Sequence, residues 1–259
     1  FKREIILKAY QKAIDNNDYS NIIKKIEPNP HIKGISPYVQ GQVLLKEENR
    51  FFAVGLKGID PNTESSVTKL NKYITLGNID NLGQDNVIIG KELASYFGLG
   101  IDSNVTIYSP LGKERALKVS GIFNSGMYDY DLNLIFTDIK TAQGILGLNN
   151  QFSAIAIKLD NLYLADKVRN GLSSLLGPDY ILKTWIEANQ NFFAALNLEK
   201  LTMFIILTLI ILVASFNIIS ALVVMVVEKT KDIGILKAIG MSSARIRRVF
   251  TYEGLIIGN

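Results

Sequence analysis

The stretch Leu201–Val227 reads LTMFIILTLIILVASFNIISALVVMVV and contains no charged residue. At a rise of 1.5 Å per residue, a helix of this length measures about 40 Å, which exceeds the roughly 30 Å hydrocarbon core of a bilayer. A soluble domain seldom buries so long an apolar helix on every side. The stretch therefore predicts a transmembrane helix over 201–227, and it separates two segments with different solvents.

Charged residues beside this helix predict its orientation. On its amino-terminal side, Lys200 is the only nearby base and Glu199 is next to it. The segment after the helix is richer in bases, which are Lys229, Lys231, Lys237, Arg245, Arg247 and Arg248, against the acids Glu228 and Asp232. Because short basic flanks stay in the cytoplasm, we expect the residues after 227 to be cytoplasmic and residues 1–198 to be extracytoplasmic.

One face of the predicted span carries small and amide side chains. Ala214, Asn217 and Ala221 recur at helical spacing. Such residues let transmembrane helices approach closely and hydrogen-bond to each other. The pattern favours packing against another helix, and a membrane groove that contacts a substrate is the alternative.

The segment after the span is basic and amphipathic over residues 228–250. Gly240 interrupts it, and Ser242 or Ser243 is a suitable N-cap for a second helix that returns to the membrane. We expect residues 251–259 to begin the next transmembrane helix. The pattern fits a helix that lies on the lipid headgroups as well as one that docks a partner. The apolar positions at helical spacing are Ile233, Leu236, Ile239 and Ile246.

The first 198 residues predict an α+β domain. Turn residues such as Pro28-Asn29-Pro30, Asp60-Pro61 and Gly177-Pro178-Asp179 separate its periodic segments. Alternation predicts strands over Tyr38–Lys46, Phe51–Ile59, Asn86–Ile89, Val105–Tyr108, Ala116–Phe123, Leu134–Phe136 and Ser153–Leu159. Helical periodicity falls in Tyr19–Ile26, Lys91–Phe97, Ile139–Leu146 and Leu162–Leu176.

Composition excludes several kinds of chemistry. The 259 residues are 48% hydrophobic, and 28 bases against 24 acids give a net charge of +4. This balance, without a basic stripe interleaved with aromatic residues, predicts no nucleic-acid partner. No cysteine is present, which excludes disulfides, cysteine–zinc sites and thiol nucleophiles. The sequence also has no phosphate-binding G-x-x-x-x-G-K-[ST] motif, so any ATP hydrolysis must come from another chain.

Two places could suggest a metal or catalytic site. His31 is the one histidine of the sequence, and a lone histidine cannot build a triad or a histidine-rich metal site. Tyr128, Asp129, Tyr130 and Asp131 form an acidic–aromatic cluster, for which we expect a solvated loop rather than a cation site. We therefore predict a non-catalytic chain that binds no cofactor itself.

The segment MVVEKTKDIGILKAIG, residues 225–240, resembles the signature of the FtsX-like, MacB-type permeases of ABC transporters. In that family the segment is the coupling helix, which lies in a groove of a cytoplasmic ATPase that binds ATP and Mg. The resemblance gives this role to eight residues, Glu228, Lys229, Asp232, Ile233, Gly234, Leu236, Lys237 and Gly240.

Other phrases resemble the lipoprotein-releasing LolC/LolE branch of this family. They are Pro37-Tyr38-Val39, Gly58-Ile59-Asp60-Pro61, Ile89–Ala94, Leu99-Gly100, Trp185 to Lys200, and Ala214–Ile219. The resemblance implies a cytoplasmic (inner) membrane permease with four transmembrane helices, of which this chain lacks the first and ends as the third begins. It implies a periplasmic MacB-like core domain over 1–198, with a porter-like part and a β-rich insertion at about 50–150.

The implied partners follow from the same resemblance. They are a LolD-like ABC ATPase, a second permease subunit in a homodimer or heterodimer, a lipoprotein cargo, and a periplasmic lipoprotein carrier as a further candidate. One departure concerns the carrier, because a LolC-type recruiting loop would fall at Ser109–Arg115, where the sequence predicts only a short hairpin turn. The alternatives are MacB-like export of peptides or drugs, and an FtsX-like signalling relay to a cell-wall hydrolase.

Overall fold

The computed structural model describes residues 4–10, 13–47 and 50–257. They fall into two compact units, Phe1–Gln190 and Asn191–Asn259. The first unit contains helices and strands, and the second is helical.

The first unit begins with β1 (Glu4–Ala9), β2 (Ile14–Asp15), α1 (Asn16–Ile26), β3 (Ile32–Glu47) and β4 (Arg50–Ile59). Next come α2 (Pro61–Val67), α3 (Leu70–Tyr73), β5 (Ile74–Gly77), a 3-10 turn (Ile79–Asn81), β6 (Asn86–Gly90) and α4 (Lys91–Phe97). They are followed by β7 (Asn104–Tyr108), β8 (Glu114–Phe123), α5 (Tyr128–Asn133), β9 (Leu134–Asp138) and α6 (Ile139–Leu146). The last elements are β10 (Gln151–Phe152), β11 (Ala154–Leu159), a 3-10 turn (Leu162–Leu164), α7 (Ala165–Leu176), β12 (Tyr180–Thr184) and α8 (Trp185–Ala188).

Ten of these strands form one mixed sheet in the order β12-β1-β11-β3-β4-β9-β6-β8-β5, with β7 paired to β3 and β8. Most neighbours are antiparallel, whereas β4–β9 and β6–β8 are parallel. The strands β2 and β10 pair separately. The predicted α+β class of this domain is therefore confirmed.

Sequence alternation located the long strands well. All seven predicted strands are present, and β3 and β4 pair continuously from Tyr38 opposite Ile59 to Glu47 opposite Arg50. The four predicted helices correspond to α1, α4, α6 and α7. The edge strands β5 and β12, the strands β1, β2 and β10, and the short helices α2, α3, α5 and α8 lie outside those predictions.

Apolar residues cover both faces of the sheet. On one face, α1, α4, α6 and α7 pack on a large core that includes Leu45, Leu56 and Ile89. On the other face, a smaller core under α2 and α3 includes Ile88 and Phe123. Because side chains alternate along a strand, every long strand contributes to both cores, and the second face is only partly covered.

The segment 50–150 contributes β4 to β9 to the same sheet as the remaining strands. Its first strand, β4, pairs with β3 over the full length of β4. The proposed insertion thus shares a continuous hydrogen-bonded layer with the rest of the unit, and its boundaries stay a prediction.

The second unit consists of two helices. The helix α9 (Gln190–Ala238) contains the apolar stretch 201–227 within its 49 residues, and α10 (Ser243–Ile257) follows. Among the described residues, α9 is the one helix long and apolar enough to cross a membrane. Its length and composition agree with the predicted span, which occupies the middle of a longer helix.

Candidate functional site

The turn between α9 and α10 follows directly from the local sequence. Gly240 has φ +90, a left-handed conformation that favours glycine. Its N–H donates to the Lys237 carbonyl at 3.1 Å, and the Met241 N–H donates to the Leu236 carbonyl at 3.1 Å. These two bonds form a Schellman motif, which satisfies carbonyl groups left open at a helix end. Gly240 of the predicted coupling set therefore has a structural role as the residue that ends α9.

Three members of the predicted coupling set are half-buried on α9, and two of them, Lys229 and Ile233, line a groove shared with α10. Lys229, Ile233 and Leu236 recur at helical spacing and are half-buried. The Lys229 Nζ lies 3.3 Å from Glu253 Oε1 on α10 and 4.0 Å from Asp232 Oδ2 on its own helix. The side chains of α9 and α10 enclose a largely apolar groove of about 760 Å³. These residues hold the helical hairpin together.

The other predicted residues lie on exposed surface. Glu228, Asp232, Gly234 and Lys237 are exposed, Lys237 at the rim of the groove. Ile239, predicted at an apolar helix position, lies beyond the end of α9 and is 73% exposed. The predicted coupling segment 228–250 is divided, because 228–238 continue α9 and 243–250 belong to α10. The predicted membrane-face residues Ala214, Asn217 and Ala221 are all exposed on α9.

Replacing Gly240 by alanine is expected to destabilise the hairpin by about 1–2 kcal/mol, the cost of a left-handed conformation in a residue with a Cβ. Limited proteolysis of the purified full-length protein at the 239–242 turn would measure this loss. Gly234→Ala is the matched control, because the added methyl group meets no atom within 4 Å and alanine favours a helix. Equal protease resistance in Gly240→Ala and wild type would contradict the assigned role.

The first unit has a cleft of about 780 Å³ on the partly covered face of its sheet. We call this site the outer cleft. Its floor is formed by β1, β11, β3, β4 and β9, which are adjacent in the sheet. The α2–α3 segment, α5 and α8 supply its walls. Five polar side chains of the floor are Lys8, Tyr38, Gln40, Gln42 and Lys57.

A buried ion pair lies in the wall beside α2. Glu64 is 1% exposed, and its Oε1 accepts from Lys57 Nζ at 3.3 Å while Oε2 accepts from Ser36 Oγ at 3.2 Å. The Lys57 ammonium also lies 4.7 Å from the centre of the Tyr38 ring. Because a buried carboxylate needs a partner, Lys57 and Ser36 together allow Glu64 to remain inside the fold.

The acidic–aromatic cluster forms the wall opposite α2, and the solvated-loop prediction was wrong for one of its residues. Asp131 is 2% exposed, and its two carboxylate oxygens accept from the Ser125 N–H at 2.9 and 3.2 Å. The cluster forms the short helix α5, which leaves Tyr128 and Tyr130 exposed. No group of His, Cys, Asp or Glu within the described ranges could hold a metal ion.

The third wall is α8, the short helix that precedes α9. A capping box joins Thr184 and Glu187, in which the Glu187 carboxylate accepts from the Thr184 N–H at 2.8 Å. The other Glu187 oxygen lies 2.9 Å from Arg169 Nη1 on α7. Trp185 and Asn189 of this segment line the outer cleft. Arg169 therefore ties the last residues of the first unit to α7.

Two further sequence features have plain structural roles. His31 Nδ1 lies 3.3 Å from Asp160 Oδ2. Desolvation acts to raise the pKa of the Asp160 carboxyl, but the hydrogen bond and charge of His31, the Asn161 backbone and the charge of Lys33 together lower this pKa. The predicted short turn at Ser109–Arg115 is confirmed, since β7 ends at Tyr108 and β8 begins at Glu114. Ser109 Oγ accepts from the backbone of Leu111 and Lys113 and so closes this turn.

Comparison with known proteins identifies the class of the second unit. Residues 204–258 match the family described as FtsX-like permease C-terminal. The chain is 31% identical to the lipoprotein-releasing system transmembrane protein LolC of Xylella fastidiosa strain Temecula1, over 93% of the chain and 61% of that protein. It is 32% identical to LolC of Neisseria meningitidis, over 95% and 62%, and 27% identical to LolE of Haemophilus influenzae, over 93% and 60%.

Solved structures support the fold of the first unit. The extracellular domain of the transporter YknZ from Gram-positive bacteria aligns with a TM-score of 0.51 at 14% identity, over 70% of this chain and 99% of that one. The periplasmic region of MacB from Actinobacillus actinomycetemcomitans aligns with a TM-score of 0.50 at 16% identity, over 73% and 92%. The chain thus carries an FtsX-like permease domain, is similar to LolC and LolE over most of its length, and spans about three fifths of those LolC and LolE relatives.

Proposed function

We propose that this chain is part of the permease subunit of an ABC transporter that extracts lipoproteins from the cytoplasmic membrane. The subunit itself is non-catalytic, and ATP and Mg bind to a separate ATPase. The observation that carries the proposal is the helical hairpin of α9 and α10 with the FtsX-like match over 204–258. The similarity to LolC and LolE favours a lipoprotein cargo over other substrates.

In this proposal the hairpin turn contacts the ATPase. The exposed Glu228, Asp232 and Lys237 offer charged groups to a partner, whereas Lys229 and Gly240 maintain the shape of the hairpin. The basic residues after the span support a cytoplasmic position for the turn and an extracytoplasmic position for the first unit.

A second permease subunit would pack in the membrane beside α9. The face of Ala214, Asn217 and Ala221 is exposed, lies outside the groove between α9 and α10, and has the small and amide side chains that such packing uses. The proposal includes this second subunit, a periplasmic lipoprotein carrier and a lipoprotein cargo. The short Ser109–Arg115 turn favours a subunit that does not recruit a carrier through an extended loop.

The test is ATP-dependent release of a radiolabelled lipoprotein from vesicles that contain the full-length permease and its ATPase, with a soluble carrier added. We expect the double variant Glu228→Ala/Asp232→Ala to reduce release at least tenfold while ATP binding to the isolated ATPase is unchanged. Lys231→Ala is the control, because this exposed base is next to the same surface but outside the predicted set.

Two results would count against the proposal. Wild-type ATPase activity without release would favour another exported substrate or a signalling relay. Unchanged release in the double variant would show that the hairpin turn does not couple ATP hydrolysis to lipoprotein release.

A further inference from the structure

We propose that the outer cleft binds an extended, uncharged segment of polypeptide. If the proposed function is correct, this segment belongs to the protein part of the cargo. The inference rests on the shape of the cleft, its side-chain amides and its balanced charges.

The shape of the cleft fits a chain-like ligand. Its floor crosses five adjacent strands, β1, β11, β3, β4 and β9. Four spacings of about 4.8 Å make the floor roughly 19 Å wide. An extended peptide of about five or six residues has this length.

Two side-chain amides on the floor match the chemistry of a peptide backbone. Gln40 and Gln42 lie two residues apart on β3, where both side chains share one face of the sheet. Both are exposed, and within the described part of the chain no hydrogen bond engages either side-chain amide. A carboxamide offers a donor and an acceptor, as each peptide group does.

The charges of the cleft favour an uncharged ligand. Lys57 is paired with Glu64, and the two remaining charged side chains of the lining, Lys8 and Asp129, have opposite signs. A hydrocarbon chain would remove the amides of Gln40 and Gln42 from water without replacing their hydrogen bonds, which is unfavourable. A neutral polar chain brings no unpaired charge into the cleft and can replace the hydrogen bonds that the floor loses with water.

The aromatic residues of the cleft argue against a sugar ligand. Sugars bind on open aromatic faces, but the ammonium of Lys57 lies over the Tyr38 ring. Phe123 and Phe136 are buried and pack edge to face at 5.3 Å. These rings form the fixed base of the cleft, and Tyr73, Tyr130 and Trp185 belong to its walls. On the floor, the amides of Gln40 and Gln42 remain as the groups that can recognise a ligand.

Equilibrium binding tests the proposal on the full-length protein in nanodiscs. The probe is a fluorescent, unacylated decapeptide of Ser, Gln, Ala and Leu, followed by anisotropy. We expect saturable binding, with Kd raised about tenfold in Gln40→Ala/Gln42→Ala. Asn170→Ala, which removes an exposed amide from α7 outside the cleft, should leave Kd unchanged. No saturable binding, or equal Kd values in the wild type and the double variant, would overturn the proposal.

A photo-reactive residue in place of Gln42 tests the same site without removing Gln40. Cross-linking to the decapeptide supports the proposal. Cross-linking only to a second permease subunit, or competition by a malto-oligosaccharide but not by unlabelled peptide, overturns it. Peptide binding without lipoprotein release would leave this site standing and reject the proposed function. Lipoprotein release without peptide binding would reject this site and support the proposed function.

Discussion

Lys57→Met is expected to destabilise the first unit by about 3–5 kcal/mol, because it leaves the Glu64 carboxylate buried without a positive partner. Glu64 is 1% exposed, and of the hydrogen bonds described for its carboxylate the one from the Ser36 hydroxyl remains. Pulse proteolysis of the full-length protein in a urea series would measure the change. The side chain of methionine fills nearly the same volume, so lost packing contributes little.

Two further variants separate charge from shape in this experiment. Lys57→Met/Glu64→Gln should recover most of the lost stability, since the buried charge is removed with its partner. Lys118→Met breaks the pair with Asp102, in which both side chains are more than half exposed, and should cost less than about 1 kcal/mol. A Lys57→Met protein as stable as Lys118→Met would show that Glu64 is not held by this ion pair.

Gly90→Ala is expected to lower the free energy of unfolding of the first unit by about 3 kcal/mol or more. It should also displace α5 from the wall of the outer cleft. A Cβ on Gly90 would lie 2.6 Å from the Asp131 Cα and closer still to its carbonyl oxygen. These are backbone atoms that cannot move aside as a side-chain tip can, so the strand and the helix must separate.

Pulse proteolysis in the same urea series measures the change in stability caused by Gly90→Ala. Gly100→Ala is the control, because a Cβ at Gly100 meets no atom within 4 Å. Hydrogen exchange of residues 127–133 should accelerate in Gly90→Ala alone. Unchanged exchange there would mean that the close approach of the two backbones is tolerated.

The sequence predicted those parts of the fold that have a strong local pattern. Buried and exposed positions alternate along β3 and β4, and the apolar run of α9 exceeds the length of a membrane core. The short helix α2 has one large apolar residue, Val67, so no apolar period appears in it, whereas the equally short α4 buries Leu93, Ala94 and Phe97. Asp60-Pro61 was interpreted as a turn, although Asp60 caps α2 and Pro61 is suited to its first turn.

The outer cleft could not be predicted because it depends on contacts between distant segments. Lys57 meets Ser36 and Glu64 only after β3, β4 and α2 have packed together. Asp131 is expected in a solvated loop because the sequence shows no full set of cation ligands around it, and only the Ser125 backbone reveals its structural role. In the hairpin, by contrast, Gly240 and the serines after it mark the turn locally.

The position of β12 has a mechanical consequence. This strand is at one edge of the sheet, and α8 and α9 follow it directly along the chain. The path from β12 to β5 crosses eight strand spacings, or roughly 38 Å. If the sheet tilted by about 10° around its β12 edge, the β5 edge would travel roughly 7 Å. A small rotation at the β12 edge would thus become a displacement of several ångströms at the opposite edge of the sheet.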